Sequence, residues 1–241
     1  MLPLSFLTLT IFQQTSFAGP PFFTDDPEPV DYKHTEFYTA STLISDKSGK
    51  SGTLPHFEFN YGIWPEFQAH LITPASFNQP KNEGWEYGYG DTEVGLKYRF
   101  IQETPSIPQV GTFPIIEIPT GDSRQGLGNG KSQFFLPLWL QKSWGPWTTY
   151  GGGGYWFNPG EDNKNWTFLG WELQRDLSKN LTLGTEIFYR TPDKIDGQSG
   201  LGLNTGVIYN INDHNHILFS AGTDVHGPRH ATVYMAYQWT F

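Results

Sequence analysis

The chain alternates between apolar and polar positions over most of its length. In YGDTEVGLKYRF, Thr92, Val94, Leu96, Tyr98 and Phe100 share one face, while Asp91, Glu93, Gly95, Lys97 and Arg99 share the other. A period of two cannot come from a helix and marks a strand with two unlike faces. NLTLGTEIFYR sets Leu181, Leu183, Thr185, Ile187 and Tyr189 against Thr182, Gly184, Glu186, Phe188 and Arg190. HFEFNY opposes Phe57, Phe59 and Tyr61 to His56, Glu58 and Asn60, and the last segment lines up Ala231, Val233, Met235, Tyr237, Trp239 and Phe241. Twelve strands are predicted, near 33–44, 53–62, 66–75, 89–101, 109–119, 131–142, 146–157, 165–175, 180–191, 201–210, 215–223 and 230–241. The sixth is apolar on both faces and the seventh holds Gly151 to Gly154, so alternation leaves the register of these two open.

The connectors obey a two-sided rule. GIWP, SWGP, DLSKN and INDHN are short; SDKSGKSG, PASFNQPKNEGWEYG, TGDSRQGLGNG, NPGEDNKN, TPDKIDGQSG and TDVHGPRH are long and polar, and ETPSIPQ is the one longer connector on the short side. Tight turns at one end and long loops at the other distinguish an outer-membrane barrel from a two-sheet sandwich. The strands are long enough to cross a bilayer at a tilt, which takes about 9–11 residues. Aromatic residues such as Trp64, Tyr98, Trp144 and Trp147 gather near the short turns, the position an interfacial girdle occupies. The expected fold is therefore all-β: an antiparallel up-and-down transmembrane barrel of about twelve strands, monomeric, with its apolar face outward.

Composition agrees and excludes other classes. Charged residues make up 16% of the 241-residue chain, against roughly 25% in soluble domains. A net charge of -9 argues against a nucleic-acid partner, and the absence of cysteine rules out disulfides and thiolate metal sites. The first 18 residues, MLPLSFLTLTIFQQTSFA, read as a secretory signal: an apolar core with Ser16 and Ala18 before a cut at Gly19, although no Lys or Arg precedes it. The predicted organisation is a signal over 1–18, a periplasmic or lumen-inserted arm over 19–32, and the barrel over 33–241.

Four stretches carry a family resemblance: GPPFFTDDPEPVDYKHTEFYTAS, YGYGDTEVGLKYRF, FPIIEIPTGD and LGNGKSQFFLPLWLQKSWGPWTTYGGGGYW. They resemble the outer-membrane transporter family named for a MetA pathway of phenol degradation, over Gly19 to Phe241. The resemblance implies an outer-membrane barrel in a Gram-negative envelope and a small, hydrophobic or aromatic permeant. It brings no catalytic motif. The alternation Tyr237, Trp239, Phe241 at the end of the sequence resembles the signal read by the barrel assembly machinery. Outer-membrane lipid and lipopolysaccharide are the other expected partners.

On the inward faces, Glu36, Glu58, Glu93, Glu117, Glu172 and Glu186 face the counter-charges Lys97, Arg99 and Arg190, with Arg175 on a face the alternation leaves open. Charged rings in a pore select permeants. Glu93, Lys97 and Glu186 lie nearest mid-strand and are the constriction candidates, joined in the lumen by Glu58, Arg99 and Arg190. Inward carboxylates outnumber cations, so a weak cation preference is expected.

Other motifs carry less. GLGNGKS has Gln125 where a phosphate loop needs glycine and leads into a strand. TDDPEPVD holds four carboxylates without calcium-loop spacing, and His226/His230 and His214/His216 lie at turns. The glycines at 151–154 are expected under side chains of a neighbouring strand, with space for the arm as their other use. No cofactor, metal or enzymatic activity is expected. The function predicted is passive passage of small molecules. A closed structural barrel of the envelope and a barrel-borne lipid hydrolase are the alternatives.

Overall fold

The computed structural model describes residues 20–241, so the predicted signal and its cleavage point lie outside the described residues. The chain forms strands β1 (Thr35–Ser45), β2 (Gly49–Trp64), β3 (Phe67–Pro80), β4 (Glu86–Tyr89), β5 (Thr92–Ile101), β6 (Gln109–Thr112), β7 (Ile115–Ile118), β8 (Gln133–Trp144), β9 (Trp147–Phe157), β10 (Trp166–Ser178), β11 (Leu181–Arg190), β12 (Gly200–Asn212), β13 (Asn215–His226) and β14 (Ala231–Thr240). Every pairing is antiparallel, and β14 pairs with β1 from Glu36↔Thr240 to Ser45↔Ala231, which closes the barrel. Twelve staves make the wall, because β4 with β5 and β6 with β7 are two halves of interrupted staves. The second interruption falls at Phe113–Pro114, where proline has no N–H to give the ladder.

The outward face is apolar. Leu138, Ile187, Leu203, Ile217, Phe219 and Met235 are 42–58% exposed on it, and Leu96, Leu183 and Val233 are exposed there too. Near the short-turn end the rings meet: Phe67 stacks on Tyr98 at 4.1 Å and Trp239 lies 4.3 Å from Phe241. This is the belt and girdle of a barrel that crosses a bilayer.

Several strand limits differ from the alternation pattern. Between β1 and β2 only residues 46–48 remain as connector, and β3 runs on to Pro80. The reason is physical: above the lipid both faces are wet, so alternation vanishes while the backbone ladder continues, as Ser45↔Lys50 and Lys50↔Gln79 show. The registers of β8 and β9 are also settled. Phe135, Trp139 and Gln141 point inward and Leu136 and Leu138 outward. The four glycines of β9 sit beneath neighbours. A Cβ on Gly151 would come within 2.5 Å of the Trp171 ring, and one on Gly153 within 2.5 Å of Leu169 Cδ2. Arg175 lies outside rather than in the lumen, with its guanidinium 5.0 Å from the Trp147 ring centre. It stands near the short turn, where a long cationic side chain can reach the interface.

Candidate functional site

The lumen is filled. Every stave contributes an inward side chain that water barely reaches, among them Tyr38, Glu58, Lys97, Trp139, Glu172, Asn204 and Ser220, none more than 5% exposed. What fills it is partly the wall and partly residues 20–32. This arm bridges Tyr32 to Gly62 at the short-turn end, climbs to mid-barrel at Thr24 against β11, and meets Ser220 on nearby β13 at Pro21.

Glu186 is the arm's main anchor. Its carboxylate accepts hydrogen bonds from the backbone N–H of Phe23 (2.9 Å) and Thr24 (2.8 Å), from the Thr24 hydroxyl (2.7 Å) and from Asn204 Nδ2 (2.9 Å). Lys97 is the second anchor, donating from Nζ to Asp25 (2.9 Å) and Asp26 (3.3 Å). Lower down, Gln109 and Gln141 both donate to Glu28 Oε2, at 3.0 and 2.9 Å. Val30 N–H donates to Gln68 Oε1 at 2.9 Å, and Ser220 Oγ donates to the Pro21 carbonyl at 2.6 Å. Buried charges are tolerable only when paired and hydrogen-bonded, and here the arm supplies the pairing.

Glycine makes the room. A Cβ on Gly170 would stand 2.1 Å from Thr24 Oγ1, and one on Gly184 2.2 Å from Glu172 Oε1 and 2.6 Å from the Phe22 ring. Gly184→Leu should therefore displace the arm while leaving both anchors chemically intact. The expected result is faster proteolysis within residues 20–32 of the folded barrel, at least several-fold over wild type. An unchanged cleavage rate would mean that the arm tolerates the side chain.

The six lumen candidates separate into distinct places. Glu58 and Glu93 meet around His70, whose Nε2 lies 2.8 Å from Glu93 Oε1 and whose Nδ1 lies 2.6 Å from Asn60 Oδ1; Asn60 Nδ2 in turn donates to Glu58 at 2.8 Å. Lys97 and Glu186 are joined through the arm and do not form an open constriction. Arg99 sits at the short-turn mouth, bonded to Glu66 (2.5 Å) and Gln109 (2.9 Å) and 3.6 Å from Glu28. Arg190 stands at the loop end, donating to both oxygens of Asp224 at 2.8 and 2.6 Å. Tyr237, Trp239 and Phe241 all face outward, and Phe241 exchanges backbone hydrogen bonds with Thr35 across the closing seam.

Facing the Glu58–His70–Glu93 group is an aromatic wall. Phe113, Phe135, Trp139, Phe168 and Phe188 form one buried cluster with Trp156 and Trp166 packed on it. Phe135 stacks on Trp156 at 4.8 Å, and Phe23 of the arm meets Phe188 edge-on at 5.0 Å. The neutral partners Gln68, Gln109, Gln141, Asn204 and Ser220 escaped the sequence reading. Their one signal was an inward position, which does not reveal what they bond.

No family model matches the chain, and no curated protein matches it. Solved structures do. An outer-membrane channel from Pseudomonas putida F1 superimposes with a TM-score of 0.71 at 13% identity, covering 90% of this chain and 98% of that one. The KdgM porin, in complex with disordered oligogalacturonate, gives 0.61 at 10% identity, covering 86% and 99%. The NanC porin gives 0.61 at 7% identity, covering 84% and 98%. At such identities the likeness establishes the fold, that of outer-membrane barrels, and does not single out the phenol-pathway family.

Proposed function

We propose that the chain is an outer-membrane channel for passive passage of small molecules, held shut at rest by its own N-terminal arm. Its short turns face the periplasm, from which the arm enters. One observation carries this reading: the segment that fills the mid-lumen is held by carboxylate and ammonium hydrogen bonds at Glu186 and Lys97. Water can take over such contacts as the arm leaves, whereas a barrel built to stay closed needs only side chains to fill it. That the solved structures sharing this fold include proteins named as channels and porins adds support. The aromatic wall opposite Glu58 and Glu93 favours small permeants with an aromatic body, and the surplus of inward carboxylates favours cations over anions.

Planar-bilayer recording tests the reading. Removal of residues 20–31 should raise the mean conductance at least tenfold over the full barrel. In the truncated barrel, Glu93→Gln should move the reversal potential in asymmetric salt toward zero, because it removes an inward charge outside the arm's anchors. Equal silence from the full and truncated proteins would favour the closed structural barrel instead.

A further inference from the structure

At the loop end, β1, β2 and β3 run past the apolar belt, and their tips enclose a pocket of about 300 Å³. Lys47, Lys50 and Lys81 line it together with Asp46, Gln79 and Asn82. All three lysines are exposed, and among the described residues none of them forms an ion pair. The fourth charge of the pocket is already used. Asp46 Oδ1 accepts from Ser48 N–H (2.7 Å), the Ser48 hydroxyl (2.6 Å) and Gly49 N–H (3.1 Å). Burial pushes its carboxyl upward, but those hydrogen bonds outweigh it and hold it below the usual carboxylate range.

Position narrows the ligand. Lys50 stands opposite Ser45 in register, and Ser45 shares a face with the outward, 38% exposed Leu43 two residues earlier. Lys50 therefore rises above the hydrocarbon belt at headgroup level, with Lys47 and Lys81 beside it in the same pocket, on a chain whose net charge is -9. Unpaired ammonium groups on an otherwise acidic protein keep no internal role at that height, whereas clustered lysines beside a bilayer attract anionic headgroups.

We propose that the Lys47–Lys50–Lys81 pocket binds the phosphate groups of a phosphorylated sugar lipid of the outer leaflet, of the lipopolysaccharide type. The proposal rests on the outer-membrane placement argued above and is independent of conduction.

The test uses the full-length barrel in detergent, titrated with fluorescent lipid A carrying two phosphates, at low and high salt. Each lysine is expected to contribute about fivefold in affinity, so the triple Lys→Gln variant should bind about a hundredfold more weakly. High salt should narrow the difference. Phosphate-free lipid A should bind wild type as weakly as phosphorylated lipid A binds the triple variant. The double variant Lys131→Gln/Lys164→Gln, which removes charge elsewhere at the loop end, should leave affinity within twofold of wild type. Heat-modifiability on gels confirms that each variant is folded. Equal binding of phosphorylated lipid A by wild type and the triple variant would overturn the proposal. So would inorganic phosphate competing at the affinity of the lipid, which would make the pocket a free-anion site. Loss of binding with unchanged conduction would separate this site from the channel, while a barrel that never conducts would leave the lipid result standing.

Discussion

Glu186→Ala should release the arm. The substitution strands two backbone N–H groups, the Thr24 hydroxyl and the Asn204 amide, all of which now donate to one buried carboxylate. Hydrogen bonds to a charged group are each worth about 1.5–3 kcal/mol, and buried donors left unpaired cost more. They act on one group and do not add, so about 3 kcal/mol is a fair expectation for the docked state. That is more than a hundredfold in the ratio of docked to undocked arm. Hydrogen exchange at the amides of Phe23 and Thr24 should accelerate by that factor, and channel openings should become frequent in bilayers. Lys97→Met should act in the same direction through Asp25 and Asp26. Unchanged protection of both amides in the Glu186 variant would mean that apolar contacts, such as Phe23 against Phe188, hold the arm instead.

Ile187→Arg should weaken the barrel by about 2–4 kcal/mol, the cost of arginine on the lipid face near the bilayer midplane. Ile187 is outward-facing, 48% exposed and close to the middle of β11. Leu183→Arg, nearer the short turn on the same face, should cost less, because the penalty falls toward the interface. Reversible urea unfolding in lipid vesicles gives both numbers. Equal costs at the two positions would place the belt differently from the register of β11.

The inward charges do not act as one selectivity set. Glu93 and Glu186 share an inward face in the sequence, and alternation gives them equal standing. The tertiary structure separates them: Glu93 belongs to the His70 network, while Glu186 holds the arm. Neutralising Glu93 therefore tests selectivity, and neutralising Glu186 tests gating.

The barrel follows from the alternation of apolar and polar positions along the chain. Alternation is local, because successive side chains on a strand leave opposite faces whatever the rest of the chain does. For that reason the count of twelve staves, the inward facing of Glu58, Glu93, Lys97, Arg99, Glu186 and Arg190, and the outward facing of Leu96, Leu183 and Val233 were all legible. The contrast of turn lengths was legible only in part, since 46–48 and 227–230 at the loop end are short. Where the local signal weakened, at the wet tips of β2 and β3 and at Arg175 beside the interface, the reading lost its limits or its face. The pairings within the lumen were not legible at all. Thr24 and Glu186 lie 162 residues apart, and Lys97 and Asp25 lie 72 apart. Glycines that make room for the arm look no different in sequence from those covered by Trp171 or Leu169. Closure of the barrel brings these groups together, since it sets which strands face each other across the lumen, and that distance in space has no counterpart in the order of the chain.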